Sequence, residues 1–382
     1  MRHLASFAFV CLAATGAFAQ APAFDPVPTP AQHVAILDYK SGQLLYCKDC
    51  EAPMPPASMS KLMTVLIVAD KLKSGAIKWD TQIPVSENAW RHGAQSDGSH
   101  MFLEINSTAS VRDLLSGVVI VSANDACIAL AEGIAGSEEN FVQLMNARGQ
   151  QLGLKSAHFA NVTGLPDPTH VISSVDLARL SRFITQTYPE IYKLDSEPSF
   201  TYNKHTQENR NPLLGVFDGA DGVKTGHTND SGYGMIGSAL RGGERRIVVF
   251  NGLSSMAARR QEGLRLMGLA FASFEAKRLF EKGAPVGEAQ VWLGAKKTVK
   301  LQATAPFDVA YLRTAKDGLK TSILYDGPVS APIKKGDIVA KLVFEGPGVA
   351  RQEMPLAASE NVGGLNPISK ALVGAKQMFG GS

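Results

Sequence analysis

Three short polar motifs carry the residue types that serine-based acyl transfer needs. A serine hydroxyl attacks a carbonyl only when a neighbouring base removes its proton, and a lysine serves as that base only when its amine is neutral. Each motif alone is short enough to occur by chance, so their order and surroundings give them weight. Along the chain they are Ser58-Met59-Ser60-Lys61, Ser122-Ala123-Asn124 and Lys224-Thr225-Gly226.

The first motif predicts a hydroxyl and an amine on one side of a helix. Ser58 and Lys61 are three residues apart at the predicted start of that helix, a spacing that places both side chains on one face. Burial, together with a second cation such as Lys224, would keep Lys61 neutral. Unpaired N–H groups at a helix start also stabilise a developing oxyanion. The alternative is that Ser58 only caps the helix while Lys61 is solvated.

The second motif is a polar turn between two apolar segments. Its hydroxyl, on Ser122, can relay a proton to a leaving amine. Its carboxamide, on Asn124, can bind a substrate amide through donor and acceptor at once. The alternative is that one of the two side chains caps the following helix.

The third motif opens a strand-like section and continues into His227 and Thr228. A strand edge can pair with the backbone of a peptide, and Gly226 permits a close approach. The hydroxyls of Thr225 and Thr228 can bind a carboxylate, and Lys224 adds positive charge. The alternative is that Lys224 is a solvated loop residue.

The elements that must position these motifs follow from hydrophobic periodicity and turn residues. A broad apolar helix follows Ser58, and strand-like segments surround the third motif. The predicted segments are a β-hairpin at 34–46, mainly helices across 102–185, strands across 221–251 and a helix from Arg259 to Lys282.

The pattern changes after Gly283. Short alternating strands with Gly, Pro and Lys turns extend over 284–356 and predict a small all-β domain. The remainder, 357–382, is predicted to be a linker and an amphipathic helix. This helix would lie on a membrane surface, or else dock on its own protein or on a partner. Its apolar positions are Leu365, Ile368, Leu372, Ala375 and Phe379.

Length and composition fit a globular protein of two domains. The chain has 382 residues, of which 45% are hydrophobic, so it can bury a full core. A net charge of +3 is too balanced for a nucleic-acid partner. Residues 1–19 have a basic start, an apolar run and an A-x-A end, which predicts a cleaved signal peptide. A Pro-rich leader, 20–31, precedes the catalytic domain predicted at 32–283.

Three cysteines remain after removal of the signal peptide. Cys47 and Cys50 follow the hairpin and could form a structural disulfide, remain free thiols, or act in redox chemistry. The redox interpretation is disfavoured because no helix follows them to lower a thiol pKa. Cys127 lies in an apolar helical pattern and is predicted to be a core residue.

Taken together, the motifs resemble those of the penicillin-binding proteins, specifically the low-molecular-weight D-alanyl-D-alanine carboxypeptidases of the S11 type. Ser122 follows Ser58 by 64 residues, and Lys224 follows Ser122 by 102. The resemblance implies an α/β fold in which an antiparallel sheet is flanked by helices and a helical subdomain. A small all-β domain and a C-terminal amphipathic helix would follow. Alanine replaces the family's usual glycine at position 123.

The resemblance also implies roles for individual residues. Ser58 would be acylated, Lys61 would take its proton, and Ser122 with Lys224 would protonate the leaving amine. Asn124 would orient the acyl amide, and the N–H groups of Ser58 and His227 would form the oxyanion hole. The residues implied in binding the terminal carboxylate, with Gly226 giving close approach, are Thr225, Thr228, Arg259 and Arg210.

The implied partners are peptidoglycan stem peptides ending in D-Ala-D-Ala, with β-lactams as covalent inhibitors and no cofactor or metal. The implied location is the periplasm, on the outer face of the inner membrane. Alternatives are an endopeptidase that cleaves peptidoglycan cross-links and an inert peptidoglycan-binding scaffold. A class A β-lactamase is disfavoured because the E-x-x-L-N glutamate motif is missing. His92 and His100 lie in a loop bordering the implied site, either near the chemistry or solvated.

Overall fold

The computed structural model describes residues 27–94, 98–346 and 349–366. The signal peptide, most of the leader and the tail beyond Asn366 lie outside the described residues, so those predictions are untested there. The strands before residue 273 are β1 (Val34–Asp38), β2 (Leu44–Lys48), β3 (Gln82–Pro84), β4 (Thr108–Ser110), β5 (Ser199–Tyr202), β6 (His205–Glu208), β7 (Ala220–Thr228), β8 (Gly232–Arg241) and β9 (Glu244–Leu253).

Helices of three kinds accompany these strands. The α-helices are α1 (Lys61–Lys73), α2 (Glu87–Ala94), α3 (Val111–Ser116), α4 (Asn124–Ala135), α5 (Glu138–Gln151), α6 (Ser174–Thr187), α7 (Pro189–Tyr192) and α8 (Met256–Ala272). Shorter helical turns are a π-turn at Gly117–Val121 and 3-10 turns at Ala57–Ser60, Lys193–Ser196 and Arg313–Gly318.

A five-stranded antiparallel sheet in the order β2-β1-β9-β8-β7 forms the centre of the first domain. Its middle strands are buried on both faces, and successive side chains point to opposite sides. In β1, for example, Leu37 joins the core shared with α1, α4 and α6. Ile36 joins a second core against α8. The predicted antiparallel sheet flanked by helices is therefore confirmed.

The second domain is all β, as predicted. Its strands form a six-stranded sheet in the order β14-β16-β17-β12-β11-β15 and a separate β10–β13 pair, around their own hydrophobic core. The strands are β10 (Phe274–Phe280), β11 (Pro285–Trp292), β12 (Thr298–Ala303), β13 (Phe307–Leu312), β14 (Lys320–Leu324), β15 (Val329–Ser330), β16 (Ile338–Gly346) and β17 (Val349–Ala358).

The helix predicted from Arg259 to Lys282 is wrong over its last ten residues. The observed helix α8 starts at Met256, with the Ser255 hydroxyl accepting from the Ala258 N–H, and ends at Ala272. Residues 274–280 are a strand because they pair with β13 and bury Phe274. The segment contains charged residues that favour a helix, but its pairing with β13 overrides that local preference.

Among the helices in ranges 27–94, 98–346 and 349–366, none is long and apolar enough to span a membrane. Cys47 and Cys50 are joined by a disulfide. Cys50 is buried, and its carbonyl accepts from the Val175 N–H. Of the interpretations left open by the sequence, the structural disulfide is the one observed.

Candidate active site

Ser58 lies in the 3-10 turn that precedes α1 and is partly exposed. The predicted helix start is displaced, because the α-helix itself begins at Lys61. The residue that caps α1 is Ser60, without a side-chain capping bond, so Ser58 does not have the alternative role of a helix cap. Its hydroxyl instead contacts the Lys61 amine at 2.8 Å.

Lys61 is fully buried, and its amine has three polar contacts. Its Nζ is 2.7 Å from the Asn124 Oδ1 and 2.5 Å from the Thr163 carbonyl oxygen, in addition to the Ser58 hydroxyl. The amide and carbonyl oxygens can only accept. A neutral amine has two N–H groups and one lone pair, so both N–H groups are used and the lone pair is left for the Ser58 hydroxyl.

Burial, opposed by Cys127 and Asp125 and aided by the Arg210 cation, lowers the pKa of Lys61 to about 8. The amine is therefore neutral in an appreciable fraction of molecules near neutral pH. The alternative of a solvated lysine in the first helical turn is wrong. Geometry and protonation both suit Lys61 for taking a proton from Ser58.

Ser122 and Asn124 stand between the π-turn and α4. Ser122 adopts a left-handed backbone conformation with φ of 65°, and no described residue hydrogen-bonds its buried hydroxyl. Asn124 opens α4 and uses its Oδ1 on Lys61. The helix cap is Ala123, without a side-chain capping bond, so the capping alternative for Ser122 and Asn124 is wrong. A buried hydroxyl without a partner is available to a substrate.

The third motif lies on β7, which is an edge strand of the sheet. Lys224 is buried, and its Nζ donates to the Thr225 carbonyl at 3.2 Å. Burial lowers the pKa of Lys224 well below its ordinary value, and the cations Lys61 and Arg210 lower it further. The alternative of a solvated loop lysine is wrong.

Gly226 brings β7 against the 3-10 turn of Ser58. A Cβ on Gly226 would lie 2.8 Å from the Pro56 carbonyl oxygen and 3.1 Å from the Met59 Cγ. We expect Gly226→Ala to lower the free energy of unfolding by about 1–3 kcal/mol through overpacking. We also expect it to slow acylation by fluorescent penicillin about tenfold or more, because the strand must move away from Ser58.

The matched control for this substitution is Gly268→Ala. Gly268 is in α8, and no atom lies within 4 Å of an added Cβ. The control should gain about 0.5–1 kcal/mol of stability from helix propensity and keep its acylation rate. Denaturant unfolding and labelling rates check both variants. Equal behaviour of the two alanine variants would contradict the proposed close approach.

A cavity of about 550 Å³ opens in front of these groups. Lys61 and Lys224 lie beneath it, and the other predicted residues line it. Those that line it are Ser58, Ser122, Asn124, Arg210, Thr225, Gly226, His227, Thr228 and Arg259.

The carboxylate-binding candidates differ in their present partners. Arg259 is buried with its guanidinium 5.7 Å from the Tyr233 ring centroid, and its Nε has no hydrogen bond among the described residues. Arg210 donates to the Ser99 hydroxyl. The Thr228 hydroxyl is already engaged with Ser231 in a turn, at 2.9 Å. Arg259 therefore has the clearest unused donor.

Sequence reasoning missed several residues that shape the site. The Thr163 carbonyl fixes Lys61, and the Ser99 carbonyl accepts from the Asn124 N–H at 2.7 Å. Buried Asp125 accepts from the N–H groups of Met101 and Leu103, which fixes the neighbouring loop. Backbone contacts leave no trace in residue type, but an aspartate directly after Asn124 in an apolar helix was a signal that could have been used.

Among the contacts of the described residues, His100 has none with Ser58 or Lys61. The His100 Nδ1–H donates to the Gly98 carbonyl, and the ring packs edge-on against Phe102. The backbone of His92 lies in α2. Cys127 is buried and free, as expected for a core residue, and burial raises its thiol pKa to about 12. Residues described by the structure contain no metal-ligating cluster of His, Cys, Asp or Glu.

Comparison with known proteins gives the family. Residues 19–254 match the family model described as D-alanyl-D-alanine carboxypeptidase. The chain belongs to the D-alanyl-D-alanine carboxypeptidase family. Residues 274–363 match a second model, described as the penicillin-binding protein 5 C-terminal domain. The family resemblance inferred from the three motifs is therefore confirmed.

Individual members of the family are similar over most of the chain. The D-alanyl-D-alanine carboxypeptidase DacA of Haemophilus influenzae is 37% identical over 88% of this chain and 87% of its own. The structure of penicillin binding protein 5 from Haemophilus influenzae has a TM-score of 0.77 at 36% identity, covering 89% of this chain and 99% of that one.

A shorter family relative has been solved with an antibiotic. Penicillin-binding protein D2 from Listeria monocytogenes in its ampicillin-bound form is 31% identical, with a TM-score of 0.59. The match covers 65% of this chain and 100% of that one.

Proposed function

We propose that this chain is a serine-type D-Ala-D-Ala carboxypeptidase that removes the terminal D-Ala from peptidoglycan stem peptides. Membership of the family supports the reaction class. The observation that carries the proposal is the Lys61 amine, buried and fixed by two acceptors with its third contact on the Ser58 hydroxyl. An inert scaffold would have no use for this arrangement.

In the proposed acylation, Lys61 takes the proton of Ser58 while Oγ forms a bond to the penultimate D-Ala carbonyl carbon. The backbone N–H groups of Ser58 and His227 stabilise the oxyanion. The bond to the terminal D-Ala nitrogen then breaks, and the proton that Lys61 took from Ser58 is returned to that nitrogen through Ser122 and Lys224. Water hydrolyses the resulting ester and regenerates the serine. The donors and acceptors needed for these transfers are all supplied by the chain.

Substrate binding uses the groups around this centre. Asn124 orients the acyl amide, and the edge of β7 pairs with the peptide backbone. The terminal carboxylate lies in a cationic part of the cavity, with the Thr225 and Thr228 hydroxyls and the Arg259 guanidinium as partners and Arg210 behind them. The unused donor on buried Arg259 supports this placement.

β-Lactams are proposed as covalent inhibitors because their ring amide takes the place of the D-Ala-D-Ala amide and acylates Ser58. The ampicillin-bound form of the Listeria monocytogenes relative supports this proposal.

The decisive experiment measures free D-Ala released from diacetyl-Lys-D-Ala-D-Ala by the purified protein. We expect the amount of D-Ala released to exceed the amount of enzyme, as repeated turnover requires. Labelling by fluorescent penicillin without D-Ala release would instead favour a scaffold that retains the fold. Cleavage of cross-linked muropeptides in preference to this tripeptide would favour the endopeptidase.

We also propose export to the periplasm, with the amphipathic tail attached to the outer face of the inner membrane. The domains proposed are 1–19, 20–31, 32–283, 284–356 and 357–382, as predicted from sequence, although strand β10 (Phe274–Phe280) pairs with β13 of the all-β domain. Support for the anchor comes from the helical spacing of apolar residues in the tail.

Deleting residues 365–382 is expected to move the protein from the membrane pellet to the soluble fraction without changing D-Ala release. One amphipathic helix gives reversible binding, so a high-salt wash of the full chain is the control for purely electrostatic attachment. Unchanged sedimentation of the truncated protein would refute the anchor.

A further inference from the structure

Arg259 is a buried cation without a counter-charge among the described residues. It lies in the first turn of α8 and is only 7% exposed. Within the described part of the chain, no hydrogen bond or ion pair joins its guanidinium to another residue, and its buried Nε has no partner. A buried charge in this state is costly, so the contact that holds it must leave its donors unused.

The guanidinium contacts the face of an aromatic ring. The Arg259 Cζ lies over the ring of Tyr233, 5.7 Å from its centroid. A guanidinium within about 6 Å of a ring centroid is attracted to the negative face of the ring. This attraction positions the group and leaves its N–H donors free for an oxygen ligand.

Tyr233 is itself fixed by the sheet that carries the third motif. It lies near the start of β8, where it pairs with His227 of β7 on one side and with Leu253 of β9 on the other. The preceding Gly232 has a φ of 61°, and a Cβ there would lie 2.9 Å from the Leu253 carbonyl oxygen. The backbone that leads into the ring is therefore tightly constrained.

The ring of Tyr233 also stacks on a side chain of the neighbouring strand. The His227 and Tyr233 ring centroids are 3.8 Å apart, with 26° between the ring planes. Cross-strand aromatic pairs of this kind stabilise an antiparallel sheet. His227 is the residue whose backbone N–H is proposed to stabilise the oxyanion. One ring therefore contacts a residue of the proposed oxyanion hole and a residue proposed to bind the terminal carboxylate.

Tyr233 lines the same cavity as His227 and Arg259. No described residue hydrogen-bonds its hydroxyl, whereas its aromatic face has both of the contacts given above. The aromatic face is thus the part of Tyr233 that can act on the site.

We propose that Tyr233 is a positioning residue whose aromatic face holds the Arg259 guanidinium toward the terminal carboxylate of the substrate. This inference rests on the proposed function and names a specificity determinant of the same site. A peptide that ends in a free carboxylate is preferred over one that ends in a neutral carboxamide, and this preference depends on the ring.

The test compares two peptides in the wild type and in Tyr233→Leu. The peptides are diacetyl-Lys-D-Ala-D-Ala and the same peptide with a C-terminal carboxamide. Release of D-Ala or of D-alaninamide gives kcat/KM for each. The wild type should favour the free carboxylate. Tyr233→Leu removes the aromatic face but keeps an apolar side chain, and it should lower this preference about tenfold.

Tyr233→Phe is the conservative variant, because it keeps the ring and removes only the hydroxyl. It should restore the wild-type preference. Equal loss of the preference in the Phe and Leu variants would assign the effect to the hydroxyl and overturn the proposal. An equal loss of kcat/KM for both peptides in Tyr233→Leu would show a merely structural role, for example through His227, and would also overturn it.

Thermal unfolding checks that each variant is folded. If Tyr233→Leu does not fold, Tyr233→Met supplies a flexible apolar side chain without a ring, and the same ratio of kcat/KM values decides. The failure of the proposed function is distinguishable, because the wild type would then release neither D-Ala nor D-alaninamide. A wild type that releases D-Ala but has no preference, or a preference that Tyr233→Leu retains, contradicts only the role of Tyr233.

Discussion

Replacing Ser58 by alanine is expected to abolish covalent labelling by fluorescent penicillin and to reduce D-Ala release to background. The acyl-enzyme is an ester of the Ser58 Oγ, so its removal leaves no atom for acylation. Because the side chain is small and partly exposed, the unfolding temperature should be close to that of the wild type. Gel fluorescence and mass spectrometry of the intact protein measure the label.

Ser60→Ala is the matched control for this variant. Ser60 is two residues away in the same turn, but its hydroxyl is buried and donates to the Ala57 carbonyl at 3.0 Å. It should retain the label. Equal labelling of Ser58→Ala and the wild type would disprove the assignment of the nucleophile.

Lys61→Met is expected to slow acylation by about 10²–10⁴-fold, the usual contribution of a general base. Methionine has a similar length and no amine, so the buried site remains filled while the proton acceptor is lost. Stopped-flow or quenched-flow measurements with a chromogenic penicillin give the acylation rate. On the same helix, Lys71→Met makes the same change on a half-buried side chain away from the cavity and should leave the rate unchanged.

The wild-type pH profile tests the same residue independently. Only the neutral amine accepts a proton, and burial lowers the pKa of Lys61 to about 8. Acylation should therefore rise about tenfold per pH unit well below pH 8 and level off near it. This rise of the acylation rate with pH should be missing in Lys61→Met. An acylation rate of Lys61→Met within tenfold of the wild type would contradict the assignment of Lys61 as the base. So would a rise of its rate with pH like that of the wild type.

Much of the candidate site could be predicted because its side chains carry recognisable chemistry. Ser58, Lys61, Ser122, Asn124 and Lys224 are separated widely along the chain, yet the fold places them around one cavity. Apolar runs bounded by glycine and polar turns likewise predicted the strands of the central sheet. Alternating residues predicted the all-β domain, because burial of one face of a pleated sheet leaves a period of two.

The rest depended on atoms that residue types do not reveal. Lys61 is fixed by the carbonyl of Thr163, and any residue has a carbonyl there. What the position does require is the following Gly164, where φ is 77° and an added Cβ would lie 2.1 Å from the Ala57 carbonyl oxygen. Similarly, Ser122 adopts its left-handed conformation where a π-turn ends, and hydrophobic periodicity does not distinguish a π-turn from an α-helix.

The order β2-β1-β9-β8-β7 also governs when activity can appear during biogenesis. β1, near the start of the chain, pairs with β9, so Val34 aligns with Phe250 across more than two hundred residues. Such non-local pairing makes folding slow, since loop closure precedes any gain in contacts. The chain is synthesised from its N-terminus, so Ser58 is made long before Lys224. The nucleophile therefore stays chemically inert until almost the whole first domain has been made.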